Sequence, residues 1–179
     1  CALPKDWKAA KRSVVVQDGA TGLWTREYFN NCRIEGELGR AKRHGRPLCF
    51  ILAHFGHQDG ANEPETLHET LISALAKALP TRHSDICVRW DDRTFAVLLP
   101  ETDLDGAMIV AEGLQYRFVN IDEKLVVEIG ISHFDLDNQV EALPAFAETS
   151  LAVARDTGGI VVNGRPVSSE ELAQPVAQA

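Results

Sequence analysis

Residues 82–100 read Arg82-His-Ser-Asp85-Ile-Cys-Val-Arg89-Trp90-Asp91-Asp92-Arg93-Thr94-Phe95-Ala-Val-Leu-Leu-Pro100. Two apolar runs, Ile86 to Trp90 and Thr94 to Leu99, flank Asp91-Asp92-Arg93 closely enough to be joined as a β-hairpin, and Pro100 ends the second. Upstream, Leu48-Cys49-Phe50-Ile51-Leu52 is a continuous apolar run after Pro47, too short for a helix, which predicts a strand covered on both faces. Thr25 to His44 carries Tyr28, Phe29, Cys32 and Leu38 among charges and stops at Gly45, the pattern of one amphipathic helix with a glycine C-terminus. Leu67, Leu71, Leu75, Ala78 and Leu79 predict a second helix ended by Pro80. Downstream, Ala107, Val110, Ala111 and Leu114 define a third helix, Leu125 to Phe134 alternates as a strand, Leu143 to Ala154 makes a fourth helix, and Ile160-Val161-Val162 a last short strand. That order predicts an α/β sandwich: one mixed or antiparallel sheet with helices packed on it.

The chain has 179 residues, 45% hydrophobic and 25% charged, with 18 Lys+Arg against 26 Asp+Glu and a net charge of −8. This suits one globular domain and argues against nucleic acid as partner, because binding to its backbone relies on clustered cations. No run approaches the roughly 20 apolar residues of a membrane span, and nothing has the order of a signal peptide, so a cytoplasmic domain without membrane contact is expected. Cys1, Cys32, Cys49 and Cys87 are scattered without a C-x-x-C, which reads as reduced thiols rather than zinc ligands or disulfides. Residues 1–17 suit a linker from an upstream domain. Residues 18–164 form the domain, and residues 165–179, poor in apolar groups, suit a flexible tail. Cys1 reads as a cut into a longer chain, with a lipid-modified cysteine as the alternative.

Asp18-Gly-Ala-Thr-Gly-Leu-Trp-Thr-Arg-Glu-Tyr-Phe29 resembles the entry motif D-x-L-T-G-L-x-N-R-x-x-F of GGDEF domains, the diguanylate cyclases that condense two GTP into cyclic di-GMP. His54-Phe55, Arg82-His-Ser-Asp85, Arg89-Trp90 and Phe95-Ala-Val-Leu-Leu-Pro100-Glu-Thr-Asp103 follow in the family's order, and the resemblance covers about residues 18 to 164. It implies the nucleotidyl cyclase-like βααββαβ core with a central five-stranded sheet.

The departures fall on the chemistry. Asp91-Asp92-Arg93-Thr94-Phe95 stands where the family has G-G-D-E-F, and Ile51-Leu52-Ala53-His54-Phe55 where it has D-x-D-H-F. Ile51 and Thr94 supply no carboxylate for the divalent ions of a two-metal nucleotidyl transfer. Asp91 and Asp92 put side chains and negative charge where glycines admit phosphates. The segment from Gly56 to Leu67 is shorter than the family's, leaving only Asp59 near a guanine-contact position, and Ala152-Val-Ala-Arg155-Asp-Thr-Gly-Gly159 keeps one of two late cations. No catalytic residues and no Mg²⁺ are expected. His54-Phe-Gly-His57 with Asp59 lacks the spacing of a metal site and reads as structural.

What survives is R-x-x-D. Arg82 to Asp85 stands five residues before Asp91, the register of the family's inhibitory site, which binds cyclic di-GMP. A carboxylate can accept two N–H donors from guanine's Watson–Crick edge, and a guanidinium can pair with O6/N7 or a phosphate. The chain holds a second R-x-x-D, Arg89 to Asp92, so position rather than pattern carries the weight. The alternative is an exposed ion pair worth ~0–1 kcal/mol. The helix arginine that often supports this site is absent, and Arg89 and Arg117 are the remaining candidates to assist. Two readings stay open: a cyclase-dead cyclic di-GMP receptor acting on an upstream domain or an effector, and a nucleotide-free interaction or homodimerisation module. Residual cyclase or GTP-sensor activity is a remote third.

Overall fold

The computed structural model describes residues 15–57, 69–79, 82–134 and 142–166. Its elements are β1 (Trp24–Thr25), α1 (Arg26–Cys32), α2 (Ile34–His44), β2 (Leu48–His57), α3 (Glu69–Lys77), β3 (Ile86–Asp91), β4 (Thr94–Pro100), α4 (Leu104–Ile121), β5 (Leu125–Phe134), α5 (Leu143–Thr157), β6 (Ile160–Val162) and β7 (Arg165–Pro166). The seven-stranded sheet has the order β1-β3-β4-β2-β5-β6-β7. Strands β2 to β6 are the expected five, and the two-residue β1 and β7 extend its edges. β2 runs antiparallel to both β4 and β5, β3 and β4 form the expected hairpin, and β1 and β6 pair in parallel with β3 and β5.

Both faces of the sheet are covered, which is why β2 reads as an unbroken apolar run. Cys49, Ile51, Ala53 and Phe55 face one core, closed by α3 and α4; Leu48, Phe50 and Leu52 face the other, closed by α1, α2 and α5. Each core holds an aromatic trio: Phe55, Phe95 and Phe118 on the first face, Phe29, Phe50 and Trp90 on the second, with ring centroids 5.1–6.3 Å apart. α5 lies almost on the backbone of β5. A Cβ at Gly130 would stand 2.3 Å from Leu151 N and 2.4 Å from Ala147 O. Two buried hydroxyls hold this contact: Ser132 Oγ donates to Leu143 O at 2.6 Å, and Ser150 Oγ lies 3.2 Å from Ile131 O.

Several boundaries differ from expectation. The single helix over 25–44 is two helices that break at Arg33 (φ −113°, ψ −47°). Arg33 falls four residues after Phe29, on the core-facing side, and an unbroken helix would drive its guanidinium toward the apolar core. Thr25 is the N-cap of α1, and Gly45 (φ 60°) ends α2 in the left-handed conformation. β2 continues to His57 because its second half pairs with β5, and Arg165–Pro166 pairs with β6, so the sheet takes in the first two residues assigned to the tail. Val15 to Gln17 run back along β1: Thr25 N–H donates to Val16 O at 3.1 Å and Gln17 bridges Trp24. Cys32, Cys49 and Cys87 form no disulfide among the described residues. No helix among the described residues is long and apolar enough to cross a membrane. Cys1, Asp59, Leu67, Pro80 and residues 167–179 lie outside the described residues.

Candidate functional site

The turn between β3 and β4 is built without glycine. Among the described non-glycine residues only Glu101 and Asn163 have positive φ, so Asp92 and Arg93 turn the chain with negative φ, unlike the primed turns that glycine favours. Side chains set the turn instead. Arg93 N–H donates to Asp91 Oδ1 at 2.8 Å, Arg89 Nη2 donates to Asp92 O, and the pairing register shifts between Arg89 and Asp91. Thr94 is buried with its hydroxyl 3.1 Å from His54 Nδ1 across the ladder. Ile51 is fully buried between Val97 and Ile131, and Phe95 belongs to the core. Ile51 is therefore an aliphatic group inside the core, and Thr94 is a buried hydroxyl held by a hydrogen bond. Among the described residues no group of three His, Cys, Asp or Glu could hold a metal ion.

Beside this turn, Arg26 Nη2 donates to Glu148 Oε1 at 2.6 Å, Trp90 Nε1 donates to the same oxygen at 3.2 Å, and Arg26 lies 4.2 Å over the Trp90 ring. The remaining space is a small pocket of about 150 Å³, lined also by Asp91 and Arg155.

A larger cavity, about 620 Å³, opens at the other end of β3. Its lining includes His83, Ser84 and Asp85 from the turn before β3, Trp24 from β1, Arg33 at the helix break, Arg40 and His44 of α2, and Arg46 after it. Asp85 N–H donates to Arg82 O at 3.0 Å, so the R-x-x-D segment is a closed turn, and Ser84 Oγ donates to Asp85 Oδ1 at 3.2 Å. Asp85 Oδ2 is buried and has no hydrogen-bond partner. Burial raises the Asp85 carboxyl above its usual value, against the opposing effects of the Ser84 hydrogen bond and the Arg82 charge.

The turn brings Arg82 and Asp85 together; Arg82 itself is exposed and outside the cavity lining. Arg89 and Arg117 do not join them. Along β3, Ile86, Val88 and Trp90 face the α1–α2 side, so Arg89 projects to the opposite one, where its guanidinium sits 5.1 Å over Phe95. There burial lowers its pKa, partly offset by Asp18, Asp92 and Asp91. Arg117 is also on that side, donating to Gly113 O and Ala78 O at 2.9 Å each and bracing α4 against the end of α3. Sequence reasoning did not find Trp24, Arg33, Arg40 and Arg46. They lie about 40–60 positions before Asp85, and only the parallel pairing of β1 with β3 and the break at Arg33 bring them near it.

The sequence model of the family described as "Diguanylate cyclase, GGDEF domain" matches residues 15–159. The chain belongs to the GGDEF family. Diguanylate cyclase DgcM of Escherichia coli K12 is 26% identical over 156 residues, covering 79% of this chain and 36% of DgcM, so the chain spans about a third of that relative. Among solved structures, the GGDEF domain of DgcB from Caulobacter crescentus, crystallised with c-di-GMP, superposes with a TM-score of 0.66 at 18% identity, covering 83% of this chain and 93% of that one. The FimX GGDEF domain from Pseudomonas aeruginosa gives 0.68 at 18% identity, covering 82% and 98%. In this GGDEF domain, then, Asp92 and Arg93 form the β3–β4 turn, and the turn at the opposite end of β3 places Asp85 on the wall of an open cavity.

Proposed function

We propose that this GGDEF domain does not synthesise cyclic di-GMP but binds it, with Arg82 and Asp85 as contacts and without a divalent metal. The observation that carries the reading is Asp85 Oδ2, a buried carboxylate oxygen without a partner on the wall of a 620 Å³ cavity, in the register of the family's R-x-x-D. Cavities of roughly 300–1,000 Å³ are the usual size for small ligands. Loss of catalysis is supported by the buried Ile51, by Thr94 bound to His54, and by two aspartates in the turn that would repel a triphosphate. Relatives lend chemistry: DgcB and the LapD GGDEF-EAL region of Vibrio cholerae are solved with c-di-GMP bound. In a longer signalling protein the ligand would act by favouring one docking state of an upstream domain over another.

Titration calorimetry with cyclic di-GMP tests this. Wild type gives saturable binding at micromolar ligand, and Arg82→Ala weakens it by about 2–5 kcal/mol, the loss typical of one partner of a charged contact. Absence of saturable heat sinks the receptor reading. Incubation with GTP and Mg²⁺ or Mn²⁺ yields no cyclic di-GMP; measurable turnover would overturn the reading of the hairpin. The competing reading, a nucleotide-free module that pairs with a second copy of itself, draws support from α4, where Ile109 and Tyr116 are 65% and 72% exposed. It predicts a ligand-independent dimer in sedimentation.

A further inference from the structure

The cavity beside Asp85 gathers two buried polar atoms without hydrogen-bond partners, not one. Arg33 Nε is buried without a hydrogen-bond partner, as Asp85 Oδ2 is, and both residues line the same space. They do not satisfy each other: the ion pairs among the described residues are Arg26–Glu148 and Arg40–Glu37. Native structures hold few such orphans, because a charged group removed from water without a partner is destabilising. Here an acceptor and a donor stand apart across one cavity, which is an arrangement a ligand can complete.

The third wall is aromatic. Trp24 lines the cavity, half-buried, with its ring stacked on Tyr28 at 5.0 Å and the Arg33 guanidinium 6.0 Å from its centroid. The break between α1 and α2 produces this arrangement, because it withdraws Arg33 from the path of a continuous helix and leaves it beside the cavity. Arg40 and Arg46 add positive groups around the space, with Glu37 already committed to Arg40 at 3.5 Å.

The geometry points to Trp24 and Arg33 as ligand contacts of the same chain, holding a guanine base and its phosphate opposite Asp85. This rests on the receptor reading above and extends it beyond R-x-x-D. Guanine presents two parallel N–H donors to a carboxylate, a ring face to an indole, and an acceptor edge or phosphate to a guanidinium. Adenine offers a ring acceptor where guanine has a donor, and a carboxylate repels it. All three functions come from one chain, so the ligand binds at one site per chain without help from a second copy.

Calorimetry and tryptophan fluorescence with cyclic di-GMP and cyclic di-AMP, on the full chain, test the assignment. Wild type binds cyclic di-GMP with quenching of fluorescence and binds cyclic di-AMP at least 100-fold more weakly. Arg33→Met weakens cyclic di-GMP binding at least tenfold, and Trp24→Phe removes most of the quench and weakens binding severalfold. Arg33→Lys, which keeps the charge and lacks the Nε donor, also weakens binding at least tenfold and serves if the methionine variant unfolds. If Arg82→Ala abolishes binding while the Arg33 and Trp24 variants bind like wild type, this inference falls and the receptor reading stands. Equal affinity for the two dinucleotides overturns the guanine assignment, and no binding by wild type overturns both readings.

Discussion

Gly130→Ala is the substitution whose sign the structure decides. On local grounds it should help: Gly130 is in the middle of β5 without positive φ, where alanine reduces the entropy of the unfolded chain and is worth about 0.4–1 kcal/mol. Packing says otherwise. The added methyl would lie 2.3 Å from Leu151 N, 2.4 Å from Ala147 O and 2.8 Å from Leu151 Cα, all backbone atoms of α5 that no rotamer change can move. Reaching an ordinary contact of roughly 3.4 Å requires α5 to retreat by about 1 Å. That displacement stretches the Ser132 and Ser150 hydroxyl bonds and loosens Leu143, Ala147 and Leu151 against the sheet. Overpacking costs about 1–3 kcal/mol and each weakened hydrogen bond about 0.5–1.5 kcal/mol, so the net loss after the entropic gain is about 3 kcal/mol. For a domain of this size that lowers Tm by about 6–12 °C. Thermal unfolding followed by circular dichroism measures it, with Gly39→Ala as control, since nothing lies within 4 Å of a Cβ there and helix propensity favours alanine by about 0.5–1 kcal/mol. A Gly130→Ala protein as stable as wild type would refute the close approach of α5 to β5.

Gly45→Ala should cost about 1 kcal/mol in urea unfolding, because φ of 60° is unfavourable for any residue with a Cβ. Asp85 gives a pH dependence of unusual sign. Its folded pKa is raised, so the folded state binds the proton more tightly than the unfolded state, and its contribution is most favourable below the ordinary value of 3.8 and lost as pH rises through the raised value. Asp85→Asn therefore raises Tm at pH 7, with the advantage shrinking toward pH 3.5; a Tm gain that grows on acidification contradicts this. Burial, aided by the Asp85 charge, pushes the Cys87 thiol up to about 12, whereas Cys32 is exposed. Iodoacetamide at pH 8 should alkylate Cys32 well before Cys87, as peptide mass spectrometry would record.

The strands were the legible part. β5 is legible from Leu125 to Phe134 because alternation leaves one phase that buries Val127, Ile129 and Ile131. The hairpin is legible because its two apolar runs leave room only for a turn. The break at Arg33 was not, since the helical pattern runs through it and only the core on either side shows that Arg33 cannot stay on that face. The apolar run stops five residues before β2 does: His54 and Gly56 look like loop, yet His54 bonds Thr94 and Gly56 pairs with Val126. At the site, Arg82 and Asp85 were legible from their distance to the hairpin. Trp24 and Arg33 were not, because their nearness to Asp85 is a property of the sheet. Arg89 and Arg117 looked available by spacing, but the sheet stands between them and the cavity.

Residues 15–17 lie along the outer side of β1, and β1 lies along β3, the strand that runs from Asp85 to the Asp91 turn. These contacts are few, short and at the edge of the sheet. A pull on the chain at Val15 would load them one after another, as a peel rather than a shear, and a peel yields at low force. The first to part would be Thr25 Oγ1 to Val15 O, then Thr25 N–H to Val16 O, then the Gln17 bridge, with β3, β4, β2 and β5 still fastened. Trp24 stands at the inner end of that series. Tension applied at Val15 would therefore reach Trp24, on a wall of the cavity, before it reaches any core strand.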